Sequence, residues 1–177
     1  MIIYLIGFMG CGKSTLGKQL AGDLNFKFID LDSFFVSKEK IKIHEYFTRY
    51  GEEAFRKTEY KLLRQIDLST NLVVATGGGT PCYSDNMDYM RKCGVTVFLQ
   101  LDSALLCKRL IKSHTIRPIV SSKNNEELKI WVEDLINKRT EFYNKAHLII
   151  DARNISSALL VKVLNPYFTN SISLNFI

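Results

Sequence analysis

Apolar positions along this chain follow two rhythms that alternate from one end to the other. The first is an unbroken apolar run, Ile2, Ile3, Tyr4, Leu5 and Ile6, too short for a helix, which predicts a strand buried on both faces. The second begins directly after it: Leu16, Leu20, Ala21 and Leu24 recur at three- and four-residue spacing and predict a helix over residues 12–24. Further strands are predicted at 26–31, 72–76, 95–101 and 147–150. Further helices are predicted at 43–50 and 52–66, separated by Gly51, and at 84–92, 103–111, 126–143 and 155–164. Five strands alternating with helices predict an α/β domain whose parallel sheet is covered on both faces. One polar stretch, residues 112–125 with Pro118 inside it, fits neither rhythm and reads as a lid. The chain has no internal repeat and no low-complexity tract.

Composition narrows the class. A length of 177 residues suits one domain with its own core, and 46% hydrophobic against 24% charged residues leaves no case for disorder. No apolar run approaches the roughly 18 residues that a membrane span needs. Met1 passes straight into the first strand without a basic and apolar leader, so a cytoplasmic location is expected. Cys11, Cys82, Cys93 and Cys107 have no metal-ligand spacing and are expected as reduced thiols, Cys11 in the first loop and the others packed. The net charge of +6 calls for anionic partners. Its basic residues are dispersed, without a run of five, which points to small anionic molecules and not to nucleic acid or a membrane. A monomer is the expectation.

In parallel sheets of this kind ligands gather beyond the carboxyl ends of the strands, and the residues with chemistry to offer are found there. After the first strand comes Gly7-Phe8-Met9-Gly10-Cys11-Gly12-Lys13-Ser14-Thr15, which is G-x-x-x-x-G-K-[ST] between a strand and a helix. Glycines let backbone N–H groups turn inward on phosphate oxygens, and the helix presents its positive end. Lys13 is placed to reach the β- and γ-phosphates, and the Ser14 hydroxyl to ligate Mg²⁺. The chain is therefore expected to bind a nucleoside triphosphate.

Other candidates carry two readings each. Asp30 and Asp32 follow the second strand; if strand geometry persists they share a face, one holding Mg²⁺ through water and the other orienting an acceptor hydroxyl. The alternative is a pair of solvated acids capping the next helix. Arg56 and Glu59, three apart on a helix, are either a surface ion pair or a carboxylate-binding arginine held by its glutamate. Gly77, Gly78 and Gly79 signify close backbone approach by a ligand or a tight turn before Pro81. Arg117, stiffened by Pro118, is either a lid arginine that neutralises a moving phosphoryl group or an exposed loop residue. Arg139 alone reads as a surface residue.

Taken in order, GFMGCGKST, the D-x-D of FIDLD, GEEAFRKTE, TGGG, the R-P of TIRPIV and KRTEFYNKAH resemble the shikimate kinases, small enzymes related to the nucleoside monophosphate kinases. The resemblance runs over about residues 3–152. It implies a three-layer P-loop fold, with a five-stranded parallel sheet flanked by helices, substrate-binding helices over about 32–66 and a mobile lid at about 112–125 in a single domain. It also implies ATP as co-substrate, Mg²⁺ as cofactor, and transfer of the γ-phosphate to the 3-hydroxyl of shikimate on the route to chorismate and the aromatic amino acids. By position, Gly10, Cys11, Gly12, Lys13, Ser14 and Thr15 resemble the nucleotide-binding loop, with Ser14 and Asp30 the metal-associated pair. Asp32 resembles the residue that binds the shikimate hydroxyls and orients or deprotonates the nucleophile. Arg56 and Arg139 resemble the pair that holds its carboxylate, Gly78 and Gly79 the backbone contacts, Arg117 the lid arginine and Arg109 the adenine contact.

This chain departs from the family pattern at Phe35-Val36 and at the charged Lys38-Glu39-Lys40. Residues 166–177 match nothing in it and are expected as a tail. A gluconate-type or nucleoside monophosphate-type kinase would share the loop and the lid. A non-catalytic nucleotide-binding module is the reading from another class. A guanine switch is disfavoured because Asn137-Lys138 and Asn144-Lys145 are followed by Thr140 and His147 where N-K-x-D needs Asp.

Overall fold

The strands assemble around β1 (Ile2–Ile6), every residue of which is buried. In the computed structural model, which describes residues 1–112 and 123–172, β1 lies between β3 (Leu72–Ala75) and β4 (Val95–Gln100). The outer strands are β2 (Lys27–Asp30) and β5 (Leu148–Asp151), so the order across the sheet is β2-β3-β1-β4-β5, all parallel. Tyr4 stands opposite Val74 on one side and Thr96 on the other, which aligns the carboxyl ends of the central strands.

Alternation along β1 feeds two separate cores. Ile3 and Leu5 face a layer made by α1 (Lys13–Leu24), α5 (Ser103–Lys112), the first half of α6 (Asn125–Tyr143) and α7 (Ser157–Ile172), with Leu16, Leu20, Leu106, Val132 and Leu160 filling it. Ile2, Tyr4 and Ile6 face Leu31, Leu63, Met87 and Met90, contributed by α2 (Leu31–Glu39), α3 (Ile43–Arg64) and α4 (Asn86–Cys93). Helix α6 belongs to both layers: Leu128 and Val132 are in the first core and Tyr143 is in the second. A third cluster, Phe35, Phe55 and Leu62 with Tyr46 and Phe47 against it, holds α2 to α3.

Two local differences from the sequence expectation have clear causes. The strand expected over 26–31 ends at Asp30, whose carboxylate accepts from the Ser33 N–H at 3.0 Å and so caps α2, a helix that the periodicity does not mark. Strand geometry therefore does not persist to Asp32, which stands in the first turn of that helix. At the other end α7 continues through Pro166 to Ile172, because Tyr167 and Phe168 pack on the first core, the Phe168 ring 6.3 Å from that of Phe26. Gly51 interrupts α3 where expected, with φ 79° and ψ 171°.

Leu5 is wholly buried in the central strand, whereas Ile130 on α6 is 64% exposed. Leu5→Ala is expected to lower the unfolding free energy by about 2–5 kcal/mol and Ile130→Ala to change it by under about 0.5 kcal/mol, both read from urea denaturation. Equal effects would contradict the two-core arrangement.

Candidate active site

The loop between β1 and α1 turns on Gly7, Gly10 and Gly12, all at positive φ, where a side chain would be strained. Lys13, 8% exposed, folds back along this loop: its ammonium donates to the carbonyls of Gly7 and Phe8, each at 2.8 Å. Those carbonyls hold the ammonium against the loop. Arg109, reaching from α5, donates to the carbonyl of Cys11 at 3.1 Å and so lies across the outside of the same loop. Cys11 is a buried free thiol inside it. The Ser14 hydroxyl donates to Asp30 Oδ2 at 2.5 Å, and this joins the start of α1 to the end of β2.

The three consecutive glycines after β3 explain how the rest of the site closes. None of them has positive φ, so neither a left-handed turn nor strain relief accounts for them. Room does. A Cβ built on Gly77 would stand 2.7 Å from Glu59 Oε1 and 3.2 Å from Asp32 Oδ1. On Gly78 it would stand 3.2 Å from the Met9 nitrogen and 3.3 Å from Arg139 Nη1; on Gly79 it would overlap the Arg56 guanidinium. Consecutive residues thus touch the acids, the phosphate loop and both arginines.

Arg56 is no surface residue. Its Nη1 donates to Glu59 Oε2 at 2.8 Å and its Nη2 reaches Glu52 at 3.4 Å. Glu59 is 1% exposed, and its second oxygen accepts from the Thr80 hydroxyl at 2.7 Å, so this buried carboxylate has a donor on each oxygen. Arg139 approaches from α6 with its guanidinium 5.6 Å from the Phe8 ring centre, and its Nη1 is buried with no hydrogen-bond acceptor among the described residues. Tyr143, one turn further, donates to the Gly78 carbonyl at 2.6 Å and fixes the helix end to the glycines; burial pushes its phenol well above the usual range.

Arg56, Gly79, Cys82 and Arg139, with Glu52, Glu53 and Tyr83 at the rim, line a cavity of about 430 Å³. Burial pushes the Cys82 thiol up to about 11, against the pull of Arg139 and Arg56, so it remains protonated near neutrality. Two guanidinium groups on one small cavity, one with an uncommitted buried nitrogen, make a receptor for a carboxylate or another small planar anion.

Gly10, Cys11, Gly12, Lys13, Ser14, Thr15, Asp30, Asp32, Arg56, Gly78, Gly79, Arg109 and Arg139 all lie around this end of the sheet. Arg117, Pro118 and most of the 112–125 segment lie outside the described residues. Sequence reasoning did not single out Thr80 or Tyr143. The one available signal was position: Thr80 directly follows the TGGG motif, and Tyr143 lies within KRTEFYNKAH, four residues after Arg139.

Comparison with known proteins agrees with this geometry. A family model described as shikimate kinase matches residues 9–167. The shikimate kinase of Phocaeicola vulgatus is 43% identical over 150 residues, covering 85% of this chain and 86% of its own. Among solved structures, shikimate kinase from Bacteroides thetaiotaomicron superposes with TM-score 0.89 at 37% identity, covering 93% of this chain and 98% of its own. Shikimate kinase from Acinetobacter baumannii in complex with shikimate gives TM-score 0.83 at 31% identity, covering 96% and 93%.

The Thr80 hydroxyl is one of two donors that satisfy the buried Glu59 carboxylate. Thr80→Val keeps the shape and removes that donor, and is expected to cost about 1–3 kcal/mol of stability in urea denaturation. A cost below about 0.5 kcal/mol would mean that the carboxylate is satisfied without it.

Proposed function

The chain belongs to the shikimate kinase family, and we propose that it moves the γ-phosphate of ATP to the 3-hydroxyl of shikimate with the residues gathered around Gly77, Gly78 and Gly79. The activity itself, phosphorylation of shikimate in aromatic biosynthesis, is that of the family. The observation that carries the assignment of roles is the convergence of Arg56 and Arg139 on one cavity, with Asp32 and the phosphate loop against the same glycines.

Arg56 and Arg139 take the shikimate carboxylate, Arg56 held from behind by Glu59 and Arg139 using the nitrogen that lacks an acceptor. The backbone at Gly78 and Gly79 lies against the ring, and helices α2 and α3 form the substrate side. Asp32 binds the hydroxyls, and its carboxylate takes the proton from, or orients, the attacking oxygen. On the nucleotide side the N–H groups from Gly10 to Thr15 cradle phosphates, and Lys13 exchanges its bonds to the Gly7 and Phe8 carbonyls for β- and γ-phosphate oxygens. Arg109 lies beside the adenine. Arg117, in a lid over about 112–125, closes on the phosphates and offsets the charge spread over the transferring group.

A hydroxyl and a carboxylate in direct hydrogen bond, Ser14 and Asp30, are hard oxygen donors of the kind Mg²⁺ prefers, and they suit an ion that keeps most of its other ligands as phosphate and water. Ser14 would ligate it directly and Asp30 through water, and the ion would supply charge neutralisation between the phosphates. The reaction needs little covalent chemistry from side chains, so positioning and electrostatics supply most of the acceleration.

No helix among the described residues is long and apolar enough to cross a membrane. We further infer a monomeric, cytoplasmic enzyme that acts on small molecules and not on nucleic acid. The dispersal of the basic residues, without a continuous run, supports small-molecule partners over nucleic acid.

A coupled ADP-release assay tests the reading: turnover is expected with shikimate and not with gluconate or nucleoside monophosphates, and the reverse selectivity would overturn it. Asp32→Asn is expected to reduce kcat by about 10²-fold or more while ATP binding survives. Arg117→Ala should lower kcat on the order of 10³-fold, and a change confined to KM would reduce its role to binding.

A further inference from the structure

Glu59 and Arg56 are the inner end of a longer chain of hydrogen bonds whose outer end is Arg64. The Asn86 side chain, wholly buried at the start of α4, donates from Nδ2 to the Thr80 carbonyl at 2.9 Å. Its Oδ1 accepts from Arg64 Nη1 at 2.7 Å. Arg64 Nη2 pairs with Asp85 at 2.6 Å, and its guanidinium stacks between the rings of Tyr60 and Tyr89, 3.4 and 4.4 Å from their centres. The last turn of α3 is thereby tied to the segment that follows the glycines, as the turn bearing Arg56 is tied to it through Glu59 and Thr80.

The chemistry of donors and acceptors leaves this chain one arrangement. Arginine only donates, so Asn86 must turn its oxygen to Arg64 and its amide nitrogen to the Thr80 carbonyl. That fixes the short 3-10 turn Thr80–Cys82, from which the Thr80 hydroxyl can only donate to Glu59, an acceptor. Glu59 then offers its remaining oxygen to Arg56. Two donor-only arginines thus bracket the chain, and each link between them, Asn86, Thr80 and Glu59, is wholly or almost wholly buried.

We propose that Arg64 is a positioning residue for the carboxylate clamp: through Asn86, Thr80 and Glu59 it sets where the Arg56 guanidinium stands in the substrate cavity. Arg64 touches neither substrate. It acts on acid binding and leaves the nucleotide half alone, because no link in the chain involves the phosphate loop. This rests on the role assigned above to Arg56.

Steady-state kinetics of Arg64→Met tests it. The shikimate KM is expected to rise about tenfold while the ATP KM changes by under about twofold. Arg64→Lys keeps the charge between the two rings and loses the fork, so it is expected to raise the shikimate KM about threefold with little change in melting temperature. It carries the test should Arg64→Met fail to fold. In an Arg56→Lys background, where the end of the chain is already displaced, Arg64→Met should alter the shikimate KM by under about twofold; a merely structural role would not produce this loss of effect. The proposal falls if either Arg64 variant loses stability with its shikimate KM unmoved, if both KM values rise together, or if the effects of the Arg56 and Arg64 changes multiply. Absence of wild-type turnover with shikimate would instead overturn the functional reading, and this proposal with it.

Discussion

The carboxyl end of β3 has no space for side chains, and the remainder of the site depends on that lack of space. Asp32 and Glu59 come to within van der Waals reach of Gly77, the phosphate loop and Arg139 to within reach of Gly78, and Arg56 to Gly79. Sheet register brings the strand ends level, but side chains from α2, α3 and α6 meet only because three consecutive positions have no Cβ to keep them apart. Glycine here weakens a strand end and adds chain entropy to be overcome on folding. What offsets that is close approach between protein groups, a use the sequence did not suggest, beside the tight turn before Pro81 that it did, in which the Thr80 N–H donates to the Gly77 carbonyl at 3.2 Å.

Charge at this end of the sheet is handled largely by pairing within the protein. Glu59, almost wholly buried, would be costly alone; with Arg56 and Thr80 on its two oxygens it is a fixed anchor. Lys13 is held by loop carbonyls, and Ser14 satisfies Asp30, which at the same time caps α2. Arg139 differs, because its inner nitrogen has no acceptor among the described residues, and so it is the cation with the most to gain from an anion in the cavity. Preorganisation of this kind suits a reaction in which stabilising charge is the protein's main task.

Much of the architecture was legible because β1, β3 and β4 are short, largely apolar runs and the long helices are periodic. The loop at Gly7–Thr15 was legible because phosphate binding restricts residue types so strongly. Of the two readings for Asp30 and Asp32, the helix-capping one holds for Asp30, and the shared strand face does not: the second core pulls Leu31 inward as the first residue of α2, and the cap ends the strand one residue early. Periodicity could not mark α2, whose apolar residues serve two cores at once, Leu31 the sheet and Phe35 the cluster with Phe55. The Thr80–Asn86–Arg64 chain was invisible for another reason. Its members are ordinary polar residues whose meaning lies in contacts across 21 and 22 positions of sequence, which no local pattern encodes.

The central claim is that the glycines position Arg56 and Arg139, the arginines proposed to bind the acid. Gly79→Ala tests it most directly, since the added methyl would occupy the place of the Arg56 guanidinium, whose atoms are its three nearest neighbours. The shikimate KM of that variant is expected to rise at least about tenfold with the ATP KM within about twofold of wild type. A shikimate KM that stays at the wild-type value, with Arg56 still paired to Glu59 in the variant's crystal structure, would contradict the account.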